Sequence, residues 1–262
     1  MSPHHFGVIA SRRFMPSIFR GGSLAVLLIL APVLPAQASA ADYVSGNHVT
    51  VYFAFGLSRS VVRSYLAALD SMCAADINSL KTQMDGKLKA RLCRDAYDFE
   101  DVTGDDSIFS PLWKDGVLYI KIGGDFSDRD FLSSLDAGVI EAMLDRLRSN
   151  GAPRWLIYSA AVFESRQYKG CTPPPIESVS YFQDLDEKIQ SASSSTELSD
   201  LCFYLGSTGK FFDVEFGPGS LVRLLHEFER FNTIGRAVEG AFHQNYERVE
   251  RDWHDFLLNA SQ

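Results

Sequence analysis

From Val49 to Phe55 apolar side chains occupy every second position, Val49, Val51, Phe53 and Phe55, the period of a strand with one buried face. The period then changes. Ser58 can cap a helix, and Val61, Val62, Tyr65, Leu66, Leu69 and Met72 fall on one helical face behind it. A second strand is expected over 90–97, and the acidic run Phe99–Ser107 carries turn chemistry and reads as a solvated loop. Gly116–Ile122 alternates again, with Leu118, Ile120 and Ile122 on one side and Val117, Tyr119 and Lys121 on the other, and Gly123-Gly124 ends it. A helix follows, capped by Ser127 with Asp130 behind it, its apolar stripe of Leu132, Leu135, Val139, Met143 and Leu147 running to Arg148. Asn150-Gly151 stops that helix, and Pro153 opens another that extends to about Phe163.

Beyond this point the pattern is mainly helical. Pro173-Pro174-Pro175 requires a loop, and Ser191–Ser195 reads as a surface linker. From Glu197 onward helical spacing returns. Ser220 is expected to cap a helix reaching Arg230, and a last helix buries Tyr246, Val249, Trp253, Phe256 and Leu257. Strands with a helix first and helices afterwards predict an α+β fold, an N-terminal mixed sheet with helices followed by a mainly helical half, dividing near residue 150.

Ahead of this pattern stand Arg12, Arg13 and Arg20, an apolar run from Leu24 to Leu34 and the small-residue sequence Ala36-Gln37-Ala38-Ser39-Ala40, the three regions of a secretory signal cleaved after Ala40. The run is about 11 residues, short of the roughly 20 a spanning helix needs, so no stable membrane anchor is expected once it is removed. Residues 1–40 hold three of the 25 basic and none of the 33 acidic residues, so the remainder carries 22 against 33, a net charge of about −11. Such a surface disfavours nucleic acid and anionic membrane. Export to an oxidising space makes Cys73, Cys93, Cys171 and Cys202 candidate disulfides, and short loops favour Cys73 with Cys93 and Cys171 with Cys202. No C-x-x-C spacing suggests a metal, and no cofactor is implied.

The order of elements, with Pro153-Arg154-Trp155-Leu156, Phe216-Gly217-Pro218-Gly219-Ser220-Leu221 and Glu250-Arg251-Asp252-Trp253-His254-Asp255-Phe256-Leu257, resembles gluzincin-like metallopeptidases of the thermolysin and peptidase MA type over most of residues 48–258. The resemblance implies a zincin-like fold over residues 41–262, with an α/β part over about 41–150 and a helical part over about 151–262. In that family an edge strand precedes a helix bearing H-E-x-x-H, and a glutamate from the next helix completes the zinc site. Aligned this way, Val117, Leu118, Tyr119, Ile120, Lys121 and Ile122 form the edge strand, and the zinc helix reads Ile140-Glu141-Ala142-Met143-Leu144. Ile140 and Leu144 stand where the histidines would be, Tyr158 where the ligand glutamate would be, and only Glu141 keeps its identity.

The resemblance therefore implies a peptidase fold without catalytic residues or metal, and with the export signal the expectation is a protein of the periplasm or cell envelope that binds a protein or peptide partner. The edge strand 117–122 would pair with an extended peptide, and the loop Arg166–Ile176 offers a second surface. The alternatives are a hydrolase with rearranged residues such as Glu141 and Tyr158, and a structural subunit of an envelope complex. Other candidates are weaker: Asp136, Glu141 and Asp145 beside Arg146 and Arg148 read as a charged helix surface, and His226-Glu227 lacks a second histidine because Arg230 holds that position.

Overall fold

The computed structural model describes residues 42–84, 86–171, 174 and 179–260; the expected signal segment lies outside them, as do Pro173 and Pro175. Five strands, β1 (Asp42–Ser45), β2 (Val49–Phe53), β3 (Leu88–Cys93), β4 (Leu112–Lys114) and β5 (Val117–Lys121), form one mixed sheet in the order β1-β2-β3-β5-β4. β2, β3 and β5 run parallel, while β1 and β4 add antiparallel at the two edges. Val49, Val51, Leu88, Ala90, Leu92, Leu118 and Ile120 bury one face of the sheet beneath α1 (Arg59–Ser79) and α3 (Arg129–Leu144). The alternate positions of β3, Arg91 and Cys93, face α2 (Ala96–Thr103) on the other side.

Local chemistry sets the element ends. Ser58 caps α1 as expected, its Oγ accepting the Val61 N–H at 3.3 Å. The Asp70 carboxylate, on α1, accepts the backbone N–H groups of Asn47, His48 and Val49 at 3.0, 2.6 and 3.0 Å, which pins the β1–β2 turn to the helix. The strand expected over 90–97 begins two residues earlier and stops at Cys93, because Asp95 caps α2 by accepting the Asp98 N–H at 2.9 Å. The acidic run is thus half helix where a loop was expected: Phe99 and Thr103, four apart, are buried, and Gly104 closes the helix at φ 72°. Asp128 caps α3 in place of Ser127, whose hydroxyl donates to Asp125. The stripe to Arg148 is also divided: α3 ends at Leu144, and Asp145–Asn150 tightens into a 3₁₀ turn.

The second half is helical: α4 (Arg154–Glu164), α5 (Phe182–Ser191), α6 (Ser195–Phe216), α7 (Ser220–Glu227), α8 (Ile234–Phe242) and α9 (Tyr246–Ala260). The Ser191–Ser195 linker is in part the start of α6, where Ser194 and Glu197 make a reciprocal cap. Ser220 does not cap α7. Its hydroxyl donates to the Phe212 carbonyl at 2.6 Å, and Gly219 holds the cap position. α4 buries Trp155, Leu156, Ile157, Ser159, Ala160, Ala161 and Val162, nearly its whole circumference, between α3 and α6. α6 approaches closely because it carries glycine where Tyr168 and Phe163 press against it: a Cβ on Gly206 would lie 2.1 Å from the Tyr168 Cβ, and one on Gly209 2.4 Å from the Phe163 Cβ.

The centre of this half is an aromatic stack. Phe182 lies between Trp155 and Trp253, with ring centroids 4.2 and 4.3 Å away. The buried Trp253 indole donates to Thr208 Oγ1 at 3.0 Å, and that hydroxyl donates to the Tyr204 carbonyl at 2.8 Å. Replacing Thr208 by valine keeps the shape and orphans the indole N–H. Thr208→Val is expected to lower unfolding stability by about 1–3 kcal/mol with an unchanged denaturant slope, measured by urea titration.

Candidate functional site

The facing surfaces of α3 and α4 bring together the four residues singled out by the family resemblance. Ile140 and Leu144 are 1% and 3% exposed and belong to the core. Glu141, between them in sequence, is 7% exposed and remains a polar group inside the protein. Two partners satisfy it. Arg148 Nη2 donates to Glu141 Oε1 at 2.6 Å, and the Tyr158 side chain from α4 lies beside the same carboxylate. Arg148 also pairs with Asp145 at 3.2 Å and lies 5.6 Å from the Tyr158 ring centroid. Arg148 is seven positions beyond Glu141, about two turns along the same side, and its long side chain folds back over the carboxylate.

This arrangement has limited chemistry. Burial pushes the Glu141 carboxyl above its ordinary value, while Arg148 and Tyr158 pull it back. Burial and the neighbouring Glu141 charge both raise the Tyr158 phenol. The carboxylate is thus tied to a guanidinium, which does not deprotonate in proteins, and to a phenol held neutral, so it is occupied as an acceptor. Isoleucine and leucine supply no donor atom, so the residues present do not fit the zinc site that the family resemblance would place here. Among the described residues no group of three or more His, Cys, Asp or Glu side chains could hold a metal ion. His226 is used structurally: its Nε2 contacts the Leu80 carbonyl at 2.9 Å and its Nδ1 lies 3.4 Å from Glu229.

Two sequence expectations require correction. The segment Val117, Leu118, Tyr119, Ile120, Lys121, Ile122 is not an edge: β5 pairs with β3 on one side and β4 on the other, and the Ile122 N–H donates to the Cys93 carbonyl at 2.9 Å. A three-residue strand, too short for its period to be read, takes the edge position. The expected pairing of Cys73 with Cys93 is not made. Cys73 faces the α1 side of the sheet and Cys93 the α2 side, so the sheet separates that pair. Cys171 and Cys202 do approach each other, Sγ to Sγ at 2.7 Å, beyond the roughly 2.05 Å of a disulfide.

A second polar cluster lies under α1, where the sequence suggested only a charged surface at Asp136. Asp136 and, from α4, Glu164 lie beside Asp76, and the buried Asp76 Oδ2 has no hydrogen-bond partner among the described residues. Two carboxyls in contact must share a proton. Burial and the Asp136 charge push Asp76 up to about 8. Its signal was present: Val62, Tyr65, Leu69, Cys73 and Asp76 follow the spacing of one apolar stripe, so Asp76 is an acid at a core position. Arg148 offered no comparable signal beyond its spacing from Glu141.

Comparison of the chain with family models, with curated proteins and with solved structures returns no match. The identity of the fold beyond α+β therefore rests on the residues themselves.

Two outcomes test these clusters. Arg148→Met leaves Glu141 buried without a cation and is expected to cost roughly 3 kcal/mol, the lower end for a buried pair because Arg148 partly reaches solvent, while Glu141→Gln with Arg148→Met recovers most of the loss in a thermal double-mutant cycle. For Asp76 the folded pKa is raised above the unfolded one, so its contribution is full below pH 4 and is lost as pH rises toward about 8. Asp76→Asn, whose amide can donate to Asp136 as the protonated acid does, is expected to flatten that fall, with the greatest gain over the parent at pH 8–9 and none near pH 4 in urea titrations.

Proposed function

We propose that this chain is an exported protein with a zincin-like, peptidase-type fold that has no peptidase chemistry and acts by binding a protein or peptide partner outside the cytoplasm. The observation that carries this reading is the Glu141–Arg148 ion pair at 2.6 Å, flanked by buried Ile140 and Leu144. A general base beside a metal must present an unengaged carboxylate to water, and here that carboxylate is closed by the chain's own cation. The mixed sheet followed by the packed helices α3 and α4 and a helical second half supports the reading in its element order, although the strand before α3 lies inside the sheet and β4 holds the edge. The apolar export segment and the acidic remainder support action outside the cytoplasm on something other than nucleic acid.

One contact favours a second reading. Tyr158 lies beside Glu141, as a hydrolase using them as acid and base would need. A single experiment separates the two. The chain from residue 41 onward, incubated with a mixture of unstructured peptides with and without added zinc, is expected to leave them intact by mass spectrometry. Turnover that a chelator abolishes and zinc restores overturns the proposal, as does metal-independent turnover lost in Glu141→Gln.

A further inference from the structure

The two edges of the sheet are not guarded alike. β4 follows Pro111 directly and carries Lys114, and both residues discourage a further strand. β1 has neither a proline nor a lysine, and Asp42, its one charged residue, stands at its start. Tyr43 and Ser45 are exposed, Tyr43 at 66%, while Val44 packs on the core beneath α1.

Backbone bonding decides which groups of β1 face outward. The Gly46 N–H donates to the Val49 carbonyl at 2.8 Å, which makes Gly46 and Val49 a hydrogen-bonded pair of the β1–β2 hairpin. Alternation along the ladder makes Val44 with Val51 the next such pair, and leaves Ser45 with Thr50 and Tyr43 with Tyr52 as the pairs between. The N–H and C=O of Tyr43 and Ser45 therefore point away from β2. No hydrogen bond engages them among the described residues, and a free row of this kind is a template for another strand.

This row is symmetric about Val44. A second β1 laid antiparallel across a two-fold axis at Val44 sets Tyr43 of each copy opposite Ser45 of the other, and each such pair exchanges both of its N–H···O bonds. The side chains agree with that register. Val44 meets its own counterpart on the α1 face of the sheet. On the opposite face the Lys87 amine donates to Ser45 Oγ at 2.9 Å and to the Gly46 carbonyl at 2.6 Å, both neutral acceptors. Because Ser45 stands opposite the second copy's Tyr43, this ammonium comes to lie beside that exposed ring, which rests on Tyr52 with centroids 6.1 Å apart. With the export segment removed after Ala40, one residue precedes β1, too little to cover the edge from the same chain.

We infer that β1 is a contact between two copies of this chain, which pair their β1 strands antiparallel about Val44 and join their sheets into one. This contact takes from the reading above only the removal of the export segment.

Sedimentation velocity on the chain from residue 41 onward, over a dilution series, measures it. Two short strands lie at the weak end of specific interfaces, so half-dimerisation is expected at concentrations on the order of 100 µM. Ser45→Pro removes an outward N–H and keeps the bonds to β2, which belong to Val44 and Gly46, and is expected to weaken the dimer about tenfold; the thermal transition of the dilute monomer reports that the fold survives. Tyr43→Ser keeps the backbone, removes the ring and is expected to weaken the dimer about threefold. Mild oxidation of added cysteines reads the register, with the parent chain as control for the native thiols. Val44→Cys lies on the axis in a non-hydrogen-bonded pair, where strands bring Cα atoms to about 4.5 Å, and is expected to cross-link about tenfold faster than Tyr43→Cys or Ser45→Cys, neither of which faces itself. A chain that stays monomeric throughout the series overturns the inference, as does a dimer that cross-links equally at all three positions or is untouched by Ser45→Pro and Tyr43→Ser. So does a monomer that binds β-prone peptides in a manner Ser45→Pro abolishes, which would mark a peptide site. Peptide cleavage is measured separately, so this contact and the non-catalytic reading can fail independently.

Discussion

Helix α4 is apolar on nearly every side, and that constraint organises the molecule. A helix with no polar face cannot lie at a surface, so it must be enclosed. α3 covers one side of it and α6 another, and Trp155 extends from it into the stack with Phe182 and Trp253. Through α3 the same enclosure reaches the sheet, whose buried face continues the core without a break. The stack is worth more than its area, because three large rings meet in ordered geometry and the one indole N–H that would otherwise be stranded is satisfied by Thr208.

Enclosure also explains the character of the polar clusters. Any ionisable group on the α3–α4 surface must be neutralised locally. Glu141 meets this demand with a cation from its own chain and a phenol, and the result is a closed ion pair. Asp76 meets it with a shared proton. These solutions differ in consequence. In the ion pair the guanidinium keeps its charge, while the coupled carboxyls tie the α1–α3 contact to the acidity of its surroundings.

Periodicity made the long elements legible. α1, α3, α4 and α9, and strands β2 and β5, follow from apolar spacing, and capping chemistry at Ser58 and Gly151 was readable from residue type. What failed did so for identifiable reasons. β1 and β4 are four and three residues long, too short to show a period, and so β5 was mistaken for an edge. α2 lay hidden in an acidic run because a single buried Phe99 carries most of its apolar face. α5 was missed because its polar residues outweigh Phe182 and Leu185. At the candidate site, the alignment brought Ile140, Glu141, Leu144 and Tyr158 to one place, but the role of Glu141 depended on Arg148, whose importance is set by a 3₁₀ turn that no local pattern announces.

The close approach at Gly206 and Gly209 has a bearing on how the chain assembles. Each glycine in a helix interior costs about 1 kcal/mol against alanine, and α6 adds Ser207 and Thr208 between them. The longest helix among the described residues thus has its weakest intrinsic stretch in the middle, where Tyr168 and Phe163 rest on it. α6 is poorly suited to nucleate folding by itself. Its centre gains order when α4 and the turn after it arrive, so the helical half condenses around α4, and the glycines that weaken α6 in isolation are what let the finished molecule close.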